Sequence, residues 1–366
     1  MQHGRTDIRE PALFDDAAPK AGPVLPMPRD PFLERMGRRL DRRVYLGTSS
    51  WNFPGWRGLV YAPVSGEKAL AAEGLKAYAV HPIFRTVGID RSFYRPLTAA
   101  QYEAFASQVP EGFRFLVKAP QRVTDSVLRD ERGRPTADNP DYLNAEAAEE
   151  QFLVPVFEGL ADKSGPLVFE FSPLAACALR QESDRNRRID EIVRFLEEMK
   201  ARSRKLFDKD VLIASGMRSA RLLNRRYMGA LRTSGARPVV SIHPRMPSVM
   251  RQLEALRFMD AGENEAGDWT LKGDVVVRWS LAADATYSGL KAQWAPFDRI
   301  RRADILAREA VAALAERAVR SNVRAFVVAN NKAEGCAPLT MRAIAESLTG
   351  CAQGQGDGPS IYPSMD

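Results

Sequence analysis

Histidine and cysteine are scarce: three of each occur in 366 residues. The cysteines, Cys177, Cys336 and Cys351, are odd in number and far apart. That argues against a secreted disulfide scaffold and against a thiolate metal cage. The histidines, His3, His81 and His243, are too few for a His-rich multi-zinc site. No segment approaches the roughly 18 uninterrupted apolar residues of a membrane span. Arg5, Asp7, Arg9 and Glu10 break up the apolar core that a signal peptide needs. The expectation is a soluble, cytoplasmic protein with no membrane partner.

What is present is ample for a core, with 45% hydrophobic residues and 27% charged. At about 150 residues per domain the length allows two domains, or one large α/β barrel with tails. Residues 1–40 carry Pro11, Pro19, Pro23, Pro26, Pro28 and Pro31 amid mixed charge. They read as a flexible arm that turns helical near Phe32–Leu40. Residues 350–366, rich in Gly, Gln, Ser and Pro, read as a loose tail.

Between them, residues 41–349 alternate. Short β-branched or apolar runs occur at Val44–Leu46, Thr86–Ile89, Phe113–Val117, Leu167–Phe169, Val211–Ala214, Val239–Ile242, Asp274–Val277 and Ala325–Ala329. A stretch of helical spacing follows each. Tyr102, Phe105, Ala106 and Val109 mark one such face, behind a Thr98/Gln101 capping box. Further helices are expected over Glu67–Tyr78, Glu146–Leu160, Arg187–Lys200 and Ser248–Phe258, and again around Leu223–Leu231, Val311–Ala318 and Met341–Leu348. Eight strand–helix units are the number that closes a TIM-type (β/α)8 barrel. An open doubly wound sheet shows the same alternation. However, the first strand–helix turn, Gly47-Thr48-Ser49-Ser50-Trp51, has no Gly-rich dinucleotide fingerprint.

A barrel of this kind builds its site from the C-terminal ends of its strands. The residues falling there are Trp51 and Trp56, Asp90, Tyr94 and Arg95, Lys118, Glu170, Arg218, His243 and Arg245, Arg278, then Asn330, Asn331 and Glu334. Lys118, Arg218, Arg245 and Arg278 face only Asp90, Glu170 and Glu334 as acids. Cations gathered at one rim suit an anionic ligand such as a phosphate; the alternative is that these ions pair among themselves and hold the rim together. In the last loop Gly335 permits a positive φ, and Pro338 suits a helix start. That loop is either part of a phosphate site or a tight turn whose asparagines cap backbone groups. Trp51 and Trp56 are a stacking wall or loop packing. His243 is a weaker candidate for a general base.

The same loops resemble a known family. Gly47–Tyr61 (GTSSWNFPGWRGLVY), Asp90–Pro96 (DRSFYRP), Phe113–Pro120 (FRFLVKAP) and Asn330–Thr340 (NNKAEGCAPLT) are similar to the domain of unknown function 72 family, the YecE-like proteins. The resemblance runs from about Val44 to Leu348 and implies a TIM-type barrel without an established reaction. Its motif positions fall on Trp51, Trp56, Tyr61, Asp90, Tyr94, Arg95, Lys118, Arg278, Asn330, Asn331, Glu334 and Gly335. Two departures stand out. The fourth strand has Glu170-Phe171-Ser172-Pro173 where the family carries Gln-Phe-Pro-Pro. The fifth has Ser215-Gly216-Met217-Arg218 where it carries Val-Glu-x-Arg. Either Glu170 replaces the glutamate lost at Gly216 from the neighbouring strand, or this member has drifted and lost activity.

The leading functional expectation is a hydrolase or lyase acting on a phosphorylated or other anionic substrate. Glu170 or Asp90 would serve as acid or base and Lys118, Arg218 and Arg278 as charge stabilisers. No protein metal site is expected, although a single Mg²⁺ shared between a carboxylate and a phosphate is compatible. The alternatives are a nucleic-acid-binding protein with nuclease-like activity and a ligand-binding barrel without chemistry. The net charge of +7 is a poor guide among them. Arg180–Arg232 alone holds 15 Lys/Arg against 8 Asp/Glu, mostly on helices around the fifth strand. Oligomeric state is left open.

Overall fold

A computed structural model describes residues 23–62, 67–262, 268–282 and 287–351. Eight parallel strands close into a barrel: β1 Val44–Thr48, β2 Phe84–Ile89, β3 Arg114–Lys118, β4 Ser164–Phe171, β5 Ile213–Met217, β6 Arg237–Ile242, β7 Val275–Trp279 and β8 Ala325–Ala329. Each strand pairs with its neighbour in sequence, and β8 closes on β1 with Val44 opposite Ala325 and Thr48 opposite Ala329. Every strand overlaps one of the eight apolar runs. β-Branched stretches buried on both faces leave such a run, and parallel strands need helical crossovers between them.

The helices depart from expectation where local chemistry interrupts periodicity. The Thr98 cap forms as the sequence suggests, with Thr98 Oγ1 accepting from Gln101 N at 3.3 Å and Gln101 Oε1 accepting from Thr98 N at 3.0 Å. The stretch expected as one helix over Glu146–Leu160 is Ala145–Ala148, a π-helical turn at Glu149–Leu153, and Val154–Leu160. Pro155 has no N–H for an α-helical bond, and a wider turn ahead of it accommodates that loss. The helix expected over Arg187–Lys200 runs from Glu182 to Phe207. A two-stranded hairpin, Val127–Arg129 with Pro135–Asp138, follows β3. Of the expected N-terminal arm, Pro31–Arg39 is a helix whose Met36 is buried, as is the following Leu40. Arg85 ties it to the barrel by donating to the carbonyls of Gly37 at 3.0 Å and Leu40 at 2.9 Å. The rest of the arm before residue 23, and the tail after residue 351, lie outside the described residues.

The interior of the barrel positions the site. Leu116, Val168, Ala214, Val239, Val276 and Val328 form a buried cluster of their own, one residue from each of β3 to β8. Side chains two residues apart on a strand share a face. Counting up by two from that apolar floor gives Lys118, Glu170, Gly216, Ser241, Arg278 and Asn330. The chemistry is therefore the layer directly above the core.

Candidate functional site

A cavity of about 300 Å³ opens at the C-terminal end of the barrel. At its base Lys118 Nζ donates to Glu170 Oε1 at 2.9 Å. Arg278 Nη2 grips both carboxylate oxygens of Asp90, at 2.8 and 2.7 Å. Glu170 is the hub: Arg218 Nε lies 3.8 Å from Oε1 and Arg278 Nε 3.8 Å from Oε2, within ion-pair range but beyond hydrogen bonding. Phe93 presents its ring to Lys118, with Nζ 3.6 Å from the centroid.

Three cations thus meet two carboxylates in a buried setting. Among the described residues several donors here have no acceptor: Arg278 Nε and Nη1, Arg218 Nη1, and the indole Nε1 of the neighbouring Trp279. All three residues line the cavity. Each donor left this way costs about 1–3 kcal/mol, more where the group is charged.

The electrostatics follow from that crowding. Burial pushes the Glu170 carboxyl up, but Lys118, Arg278 and Arg218 outweigh it and hold the group well below the usual carboxylate range. Burial draws the Lys118 ammonium below the ordinary lysine range; Glu170 and Asp90 oppose the shift while Arg278 adds to it. His243, at the cavity wall, is lowered to about 4 by burial and by Arg218 and Arg245. Its Nδ1 accepts the Arg245 N–H at 3.1 Å, so the neutral ring carries its proton on Nε2. An NMR titration should place the His243 transition near pH 4 instead of the ordinary 6.5. The stability it contributes is full above about pH 6.5 and is lost as pH falls toward 4. A transition near 6.5 in the folded protein would contradict this environment.

The cavity gathers Asp90, Tyr94, Lys118, Glu170, Arg218, His243, Arg278 and Asn330. Asn330 Nδ2 donates to Ser49 Oγ at 2.9 Å, and Tyr94 stands at the mouth, largely exposed. Arg95 and Arg245 are exposed and do not line the cavity. Six other residues of the motifs, Trp51, Trp56, Tyr61, Asn331, Glu334 and Gly335, lie off the cavity. Trp51 is buried edge-on to Phe105, and its carbonyl accepts the Tyr61 hydroxyl. Trp56 Nε1 donates to Asn331 Oδ1 at 3.1 Å, which also accepts the Ala337 N–H at 2.9 Å. Asn331 thereby caps the helix Ala337–Thr349 and ties the loop after β8 to the loop after β1. Glu334 is fully buried and accepts from Arg308 Nε at 2.9 and 3.0 Å and from Asp304 N at 2.6 Å. Gly335 closes this loop at φ 118°, where a Cβ would sit 2.6 Å from the Arg299 carbonyl.

Glu334→Gln is therefore expected to cost ~3 kcal/mol of stability in urea denaturation, with anion affinity at the rim unchanged. A lost affinity without a stability change would instead put Glu334 in the ligand site. Cys336 is buried and its thiol pushed up to about 12, which leaves it without nucleophilic character near neutral pH.

Sequence reasoning missed Phe93 and Trp279 as parts of the site. Trp279 directly follows Arg278 at the end of β7 and so packs on the opposite face of the strand with Val275 and Val277, bordering the cavity without sharing the face of Arg278. Phe93 left no signal in the sequence, because its approach to Lys118 depends on how the short helix Arg91–Tyr94 folds over β3.

Comparison with known proteins agrees with this barrel. A family model described as a protein of unknown function, DUF72, matches residues 45–361. The chain belongs to the DUF72 family. A solved DUF72 protein from Enterococcus faecalis V583 is similar at 16% identity and a TM-score of 0.51, over 83% of this chain and 95% of that one. Another from Thermotoga maritima MSB8 has 18% identity and a TM-score of 0.49, over 83% and 98%. No curated protein matches. The Enterococcus likeness speaks for the fold alone. Among the described residues of this DUF72 chain, no helix is long and apolar enough to cross a membrane. Among them, too, no three His, Cys, Asp or Glu side chains cluster as metal ligands.

Proposed function

We propose that the rim cavity binds a small anionic ligand, most simply a phosphorylated one, and acts on it as a hydrolase or lyase. One observation carries the reading: Arg278 and Arg218 line a concave site, and buried N–H donors of both have no acceptor among the described residues. An oxyanion supplies those acceptors, and paired guanidinium groups match its geometry. The net charge of the cavity, three cations against Asp90 and Glu170, favours the same ligand.

The division of labour differs from a simple carboxylate base. Glu170 is held ionised by three cations, and so weak a base abstracts protons poorly. Its work is to position Lys118, Arg218 and Arg278. Lys118, whose ammonium burial draws below the ordinary lysine range, is the group suited to exchange a proton with the substrate. His243 offers an Nε2–H donor to developing negative charge. Mg²⁺ fits less well, since both Asp90 oxygens already accept from Arg278.

A small ligand is favoured over nucleic acid because the basic excess is spent on the outer surface. Arg188 pairs with Glu191, Arg202 with Glu149 and Glu198, Arg204 with Asp210, and Arg226 with Asp190. Calorimetric titration with inorganic phosphate, then turnover of a panel of phosphate monoesters and sugar phosphates, tests the reading. Phosphate binding and turnover of at least one ester are expected. Absence of phosphate affinity, or steeply salt-dependent binding of DNA or RNA instead, would overturn it.

A further inference from the structure

Beside the charged cavity lies a second one of about 330 Å³, and His243 and Leu281 line both. It runs between the start of the helix Val249–Ala261 and the start of the helix Ile305–Arg320. Its walls come from Ile242, Met246, Val249, Met250, Leu306 and Ala310. The polar side chains other than His243 are already engaged. Ser248 Oγ caps its helix by accepting the Arg251 N–H at 3.4 Å, and Asp304 Oδ1 accepts the Ala307 N–H at 3.0 Å. What the groove offers a ligand is hydrocarbon.

That surface is left facing water. Met250 is 61% exposed and Leu306 79% exposed, and Ile305 beside it is exposed as well. Apolar surface held open next to a charged cavity marks a binding groove more often than chance exposure. With no cation among its described lining residues, the groove does not suit a second anion. Because His243 and Leu281 line both, the groove adjoins the rim on the side where a substituent of an anion held by Arg278 and Arg218 can reach it.

Resting on the proposed anion site, we infer that the ligand is amphipathic: an anionic head in the rim cavity and an alkyl or aryl arm in this groove. A cavity of about 150 Å³ holds a benzene ring, so the volume here admits a ring with a short chain. Small, wholly polar sugar phosphates would leave the groove wet and bind less tightly.

Calorimetry with inorganic phosphate, methyl phosphate, butyl phosphate, hexyl phosphate and phenyl phosphate tests this on the full chain. Affinity should rise by roughly fourfold per buried methylene, and phenyl phosphate should exceed methyl phosphate by at least tenfold. Leu306→Glu and Met250→Glu, at exposed positions outside the charged cavity, should abolish the gain and leave inorganic phosphate affinity as it was. Equal affinity along the series, with phosphate still binding, overturns the groove and spares the anion site. A chain-length gain that survives both substitutions also overturns it. Loss of a dimer in either variant, read by sedimentation, would assign the groove to a second copy of the chain and overturn the inference. Failure of phosphate and all its esters to bind rejects the underlying anion site as well.

Discussion

Glu170→Gln is expected to lower the unfolding free energy by ~3 kcal/mol, read by urea denaturation. It is also expected to enlarge the stabilisation that added phosphate provides. Both effects have one cause. Glu170 accepts from Lys118 at 2.9 Å and sits 3.8 Å from each of two guanidinium nitrogens. Removing its charge leaves two buried cations, Lys118 and Arg278, and the partly buried Arg218 facing Asp90 alone, and a bound anion then supplies what was lost. The pH dependence has the matching sign. Because the folded Glu170 carboxyl is held well below its unfolded range, its contribution is full above about pH 4.3 and is lost as pH falls further.

The neighbouring strand refines this expectation. Glu170 pairs in register with Gly216, the position where family resemblance expects glutamate. A Cβ on Gly216 would lie 3.2 Å from Glu170 Cγ, so the two carboxylate-bearing side chains compete for one space. The double variant Glu170→Gln, Gly216→Glu should therefore recover part of the stability lost in Glu170→Gln. Gly216→Glu alone, which crowds two like charges, should destabilise. A double-mutant cycle showing simple additivity would contradict the exchange of one carboxylate between adjacent strands.

Arg278→Gln should weaken phosphate binding by about 100-fold, since it removes charge-assisted donors from the ligand. Arg278→Lys should not restore it. An ammonium has three N–H groups, so one holding both oxygens of Asp90 keeps a single donor for the cavity, where Arg278 keeps three in a planar fork. Arg245→Gln, at an exposed position off the cavity wall, is the control and should change affinity little. Equal losses at Arg245 and Arg278 would mean that only diffuse positive charge attracts the ligand.

The contrast between Arg278 and Glu334 explains what the sequence made legible. Both are positions of the family resemblance, Arg278 within the end of β7 and Glu334 in the loop after β8. Arg278 could be placed because it sits two residues above Val276, and period-2 alternation carries it from the apolar floor into the charged layer. Lys118, Glu170 and Asn330 were readable for the same reason. Glu334 lies beyond β8, in a loop with no periodicity. Its burial against Arg308 depends on a helix start far along the chain from any neighbour that the motif shows. Trp56 and Asn331 likewise meet each other across 275 positions. The hairpin after β3 escaped notice because its strands are short and largely exposed, with no apolar alternation to mark them. The break at Glu149–Leu153 was foreshadowed only by Pro155.

The central claim is that the unpartnered donors of the rim are an oxyanion site. Soaking crystals with tungstate and mapping its anomalous scattering tests this most directly. A peak is expected within hydrogen-bonding distance of Arg278 Nη1 and Arg218 Nη1, lost in Arg278→Gln. Peaks only on the outer arginines, with Arg218 and Arg278 turned fully onto Glu170, would contradict it and leave the rim as a structural ion network.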